Sequence, residues 1–113
     1  MHLQMAVYLG GSRATALLDS GASGNFVDPR YLSGRNIHCR KKTRTYELQS
    51  LGDQPVISQV QDETRPAELR IGRHREQISF DVTELGGYDL VLGYPWLKLH
   101  NPVINWQEEK LQQ

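Results

Sequence analysis

Ala16-Leu17-Leu18-Asp19-Ser20-Gly21-Ala22 is the stretch that decides the reading of this chain. An apolar run leads directly into a carboxylate, then a hydroxyl, then two small residues. The pattern delivers an aspartate from a buried strand into a tight loop. Gly21 allows close backbone approach, and Ala22 leaves little bulk beside the carboxylate. Ser20 can hydrogen-bond across a close contact. Alone, these residues also suit an ordinary Asp-Ser-Gly turn after a core strand.

Upstream, Met5 to Leu9 is apolar and strand-like, and Gly10-Gly11 is a strong turn signal. Ala14, Ala16 and Leu18 share one face at period two. The spacing predicts a hairpin that ends at Asp19. Downstream, Asp28-Pro29-Arg30-Tyr31-Leu32 predicts a helical turn, with Asp28 as cap and Pro29 in the first position. Ser33 to Lys42 reads as irregular and Thr43 to Leu48 as a strand. A long arm runs from Ile57 towards Ile71. Gly72 to Glu76 reads as a polar turn, and Gln77 to Val82 alternates again. Pro95 to His100 predicts a short helix stopped by Asn101-Pro102. Val103 to Trp106 is a last strand, and Gln107 to Gln113 reads as a fraying end. Many short strands, glycine turns and one late helix favour a closed or sandwiched all-β fold.

Composition narrows the classes. The chain has 113 residues, which suits one domain. Lys plus Arg is 13 and Asp plus Glu is 13, so there is no basic field for a nucleic-acid backbone. A nucleic-acid-binding barrel therefore finds little support. One cysteine, Cys39, excludes an internal disulfide and is consistent with a reducing compartment. His2, His38, His74 and His100 are scattered with no motif spacing, so no metal site is expected. No signal-peptide pattern or membrane-spanning stretch is evident.

A second feature decides between the turn and a site. Tyr88-Asp89-Leu90-Val91-Leu92-Gly93 is another apolar strand ending at glycine, followed by Pro95-Trp96-Leu97. Asp19-Ser20-Gly21-Ala22 together with Leu90-Val91-Leu92-Gly93 resembles the two signatures of retropepsins, the retroviral-type aspartic proteases. Asp19 through Val27, and Asp89 through Leu97 with its continuation to Trp106, resemble the gypsy-type retrotransposon version. The resemblance covers about Val7 to Trp106.

The resemblance implies a small closed β-barrel or sandwich of the acid-protease type with one short C-terminal helix. It implies a single protease domain over 1–113, with its core at about 5–106 and a flap at about 48–58. Asp19 would be catalytic. Ser20, Gly21, Ala22 and Gly93 would support the active-site loop. Leu51, Gly52 and Val56 would touch substrate from the flap. Leu17, Ala22, Phe26 and Leu92 are further candidates for pocket walls, though all but Ala22 suit plain core better. No cofactor is implied. The chain has one Asp-Ser-Gly, and Asp53, Asp62, Asp81 and Asp89 lack its apolar approach. The second carboxylate would come from an identical subunit in a two-fold homodimer.

The implied substrate is an extended polypeptide, such as a Gag-Pol-like polyprotein. The implied location is cytoplasmic, virus-like particles included. A dimerisation or peptide-binding module on the same fold is the alternative, and the intact Asp19-Ser20-Gly21 argues against it. The chain departs from many retroviral members at Ser23 and Tyr94. There the family often has an acid and an arginine that pair. With both charges absent, packing or neutral hydrogen bonds must take their place.

Overall fold

A computed structural model of the chain describes residues 2–48, 58–105 and 110–112. Strands β1 (His2–Leu9) and β2 (Ser12–Asp19) form the expected hairpin, with Leu9 opposite Ser12. Gly10 and Gly11 make its turn at φ of 63° and 86°. A two-residue hairpin turn needs such left-handed positions. Ala14, Ala16 and Leu18 join one apolar cluster, and Leu17 joins a second. Burial on both faces is why this strand reads as a continuous apolar run.

After β2 come β3 (Phe26–Val27), α1 (Pro29–Leu32), β4 (Cys39–Leu48) and β5 (Ser58–Thr64). Then follow β6 (Ala67–Ile71), β7 (His74–Ile78), β8 (Asp81–Val82) and β9 (Leu90–Leu92). Helix α2 (Tyr94–His100) and strands β10 (Val103–Asn105) and β11 (Lys110–Gln112) complete the series. Nine strands form one sheet in the order β4-β5-β8-β3-β9-β2-β1-β6-β7. β10 and β11 pair separately. The fold is mostly β, curled into a half-barrel, with a short helix late in the chain.

Strand β9 governs the topology. It runs parallel to β2, with Leu18 opposite Leu92, and antiparallel to β3, with Phe26 opposite Val91. β2 and β3 are thus separated by β9, and the loop 20–25 that joins them must cross the end of β9 at Gly93.

The expected elements differ from the observed ones in their polar parts. β4 begins at Cys39, within the stretch read as irregular, and β7 begins at His74, within the expected turn. Both openings are exposed and lack apolar alternation. The long arm towards Ile71 is two strands parted at Arg65-Pro66. Lys110–Gln112 pairs with β10 instead of fraying.

Helix α1 forms as expected. The Asp28 carboxylate is buried and accepts from Arg30 N at 2.8 Å, with Pro29 in the first turn. Its other oxygen accepts from the buried Leu85 N at 2.9 Å. Burial pushes the carboxyl up, but hydrogen bonds from Arg30 and Leu85 outweigh it and hold Asp28 below its usual 3.8. Asp28→Ala removes a cap and orphans a buried N–H, so it should cost about 3 kcal/mol in urea unfolding at neutral pH. A carboxyl lowered in the folded state stabilises above its unfolded value and ceases to as pH falls through the folded one. The deficit of the variant should therefore shrink as pH drops below 3.8.

Candidate active site

Asp19 closes β2 and is 8% exposed. Its Oδ1 accepts from Gly21 N at 2.9 Å, and its carbonyl accepts from Ala22 N at 3.1 Å. The chain turns tightly around the carboxylate. A Cβ on residue 21 would lie 3.2 Å from Asp19 Oδ1, crowding the group that the loop presents. Ser20 and Gly21 are exposed, whereas Ala22 is buried in the cluster of Leu17, Phe26, Leu48, Val60 and Val91.

Below the loop, Gly93 caps helix α2, and its carbonyl accepts from Leu97 N at 3.1 Å. Its backbone angles, φ −91° and ψ −166°, are open to any residue. Space is the reason for glycine. A Cβ there would stand 2.7 Å from the Ala22 carbonyl oxygen and closer still to that of Gly24.

The neutral support that the sequence requires is visible at this point. Gly93 N donates to Asn25 Oδ1 at 2.9 Å, and Tyr94 N donates to the Ala22 carbonyl at 2.8 Å. The Asn25 carbonyl also accepts from Asp81 N at 2.9 Å. Asn25 thus ties the Asp19 loop to both β9 and β8. Sequence reasoning gave it no role, and its one signal was a polar amide between Gly24 and the buried Phe26. Ser23 is exposed, and Tyr94 is 53% exposed.

The expected flap residues Leu51, Gly52 and Val56 lie outside the described residues. Strands β4 and β5 flank them and pair antiparallel until Leu48 stands opposite Ser58. A polar network holds β4 to β8. Lys42 Nζ lies 2.9 Å from Asp81 Oδ1, and the Tyr46 hydroxyl donates to Asp81 Oδ2. Burial, then that hydrogen bond and the Asp81 charge, push the Tyr46 phenol far up. Of the other candidate wall residues, Leu17, Phe26 and Leu92 are at most 2% exposed and serve as core.

The arrangement presents a carboxylate at the end of two parallel buried strands, held by the Gly21 N–H, in a loop of small residues. The sequence matches the PEG10/RTL1 protease domain over residues 15–113. The fold is similar to the retroviral protease-like domain of Ddi1 from Leishmania major, at 16% identity and a TM-score of 0.64. That match covers 99% of this chain and 86% of the other. The fold is also similar to the EIAV protease complexed with the inhibitor HBY-793, at 16% identity and a TM-score of 0.62 over 93% of each chain. At such identities the structures speak for the fold, and the sequence match over residues 15–113 carries the family: this chain belongs to the PEG10/RTL1 protease domain family and has the retropepsin-like aspartic-protease fold.

Proposed function

We propose that the chain is an aspartic endopeptidase that works as a two-fold homodimer, with Asp19 from each subunit holding the attacking water. The observation that carries this is the Asp19 carboxylate, nearly buried and turned by Gly21 N at the end of β2. The remaining described aspartates are engaged elsewhere. Asp28 caps α1, Asp62 meets Lys41, Asp81 meets Lys42 and Tyr46, and Asp89 accepts from Thr15 N. A second catalytic carboxylate is more simply supplied by a second copy.

Two facing carboxylates resist double ionisation and share a proton. One activates the water as general base. The other, protonated, donates towards the carbonyl oxygen and then to the leaving nitrogen. The dyad titrates as a unit, and it needs no metal or organic cofactor. In this reading the exposed Ser20 binds the facing loop, and the exposed Gly21 meets substrate backbone. An extended polypeptide, such as a Gag-Pol-like polyprotein, is the substrate held along the site. The pair β10 and β11 stands apart from the large sheet, whereas His2 to Met5 is already paired with β2. A two-stranded ribbon gains most from a further partner, so it is the favoured interface element.

Dilution tests the reading. Below the dissociation constant, dimer falls as the square of total chain, so activity should drop about fourfold for each twofold dilution. Excess Asp19→Asn chains mixed with wild type should depress activity further by forming inactive heterodimers. A sedimenting monomer with constant specific activity, and no such dominant effect, would refute the shared site.

A further inference from the structure

His74 and Glu76 stand two apart on β7, so their side chains share one face of the strand. Helix α2 meets that face. Trp96 Nε1 donates to Glu76 Oε1 at 2.5 Å, and His100, in the last turn, brings Nε2 to 2.8 Å from Glu76 Oε2. His74 Nε2 lies 3.6 Å from the same oxygen. One donor atom from each of the three residues falls within 4.8 Å of the other two.

An ion pair alone leaves something over. His100 Nε2 is buried and makes no hydrogen bond, though it lies 2.8 Å from Glu76 Oε2. A buried ring nitrogen in that state calls for another ligand. We propose that His74, Glu76 and His100 bind one divalent transition-metal ion per chain, with zinc as the natural occupant. The ligand atoms are His74 Nε2, Glu76 Oε2 and His100 Nε2.

The donor set is two imidazoles and a carboxylate, which suits zinc and disfavours magnesium and calcium. Tetrahedral zinc with bonds of about 2.0–2.2 Å holds its donor atoms roughly 3.3 Å apart. The observed separations of 2.8 and 3.6 Å from Glu76 Oε2 bracket that spacing, and the two imidazoles, within 4.8 Å of each other, would close around the ion. Trp96 occupies Oε1 and so leaves Oε2 to face the two rings, as an outer-shell partner does. The His74 side chain is 42% exposed, which gives the ion a way in. Three protein donors leave the fourth position to water.

The site bridges two elements. It joins the C-terminal turn of α2 to the edge strand of the sheet, while the N-terminal end of α2 holds the Asp19 loop through Tyr94 N. The inference rests on α2 and β7 and stands whether or not Asp19 is catalytic.

The test uses the whole chain, stripped of metal with a chelator and titrated with zinc against a chromophoric competitor. Wild type should bind one zinc ion and melt at rising temperature as zinc is added. His74→Ala and Glu76→Gln should each weaken binding by more than the roughly 10- to 100-fold that loss of an outer-shell partner costs. His38→Ala controls for stray ligands and should bind as wild type does. His74 is exposed, and glutamine at 76 keeps an oxygen for Trp96, so both variants should fold. Cobalt should give the visible spectrum of a tetrahedral site in wild type and lose it in His74→Ala. Zinc binding no tighter in wild type than in His74→Ala, or binding abolished by His38→Ala instead, would overturn the site.

Discussion

Asp19→Asn should reduce peptide cleavage by at least about 10⁴-fold while thermal melting and dimer sedimentation stay close to wild type. General acid–base groups are worth roughly 10²–10⁴ in rate, and this one change removes both members of the proposed pair. The fold should tolerate it, because an asparagine oxygen can still accept from Gly21 N as Asp19 Oδ1 does at 2.9 Å. Loss of repulsion between facing carboxylates would favour the dimer if anything. A peptide-cleavage assay beside a melting curve separates the two effects. Equal activity in the variant would remove Asp19 from the mechanism, and unfolding would make it a structural residue instead.

Gly93→Ala should destabilise the fold by about 3 kcal/mol or more in urea unfolding, and cleavage should fall with it. Both oxygens facing residue 93 belong to backbone, at Ala22 and Gly24, and neither can rotate aside as a side chain would. Relief requires the Asp19 loop to lift off β9, which disturbs Asn25, Ala22 and the carboxylate together. Gly11→Ala is the comparison. Nothing lies within 4 Å of a Cβ there, but φ is +86°, so strain alone should cost about 1 kcal/mol. Equal losses in the two variants would mean that the contact at Gly93 is not the reason for its glycine.

The two halves of the site are legible in the sequence because each is chemically unusual. Leu18 to Ala22 needs burial, charge and small size in strict order, and Leu90 to Gly93 repeats the apolar half of that order. What escaped notice is what the fold assembles from distant polar residues. Asn25 reads as a loop amide until Gly93 N is found on its side chain. His74, Glu76 and His100 have no motif spacing, since a strand supplies two of them and a helix the third. Strand limits failed where polar side chains hide the ladder, as at Cys39 to Lys42. The run from Gln77 to Val82 alternates correctly, yet it breaks at Phe80. Its N–H goes to Thr64 Oγ1 at 2.9 Å, a side-chain acceptor that no periodicity reveals.

The parallel pairing of β2 with β9 also sets a clock on synthesis. Thr15 and Asp89, bonded to each other through backbone and carboxylate, are 74 positions apart. At ordinary translation speeds of about 5–20 residues per second, that gap lasts roughly 4 to 15 seconds. Through that interval the nascent chain carries Asp19 without the strand that shapes its loop. Contacts so distant in sequence are also slow to form in a released chain, because the closure entropy must be met first. The β1–β2 hairpin is local and can begin to pair early, but the carboxylate cannot take its final setting until β9 has been made. A ribosome-bound fragment ending before Leu90 therefore lacks the strand that pairs with β2 beneath the Asp19 loop.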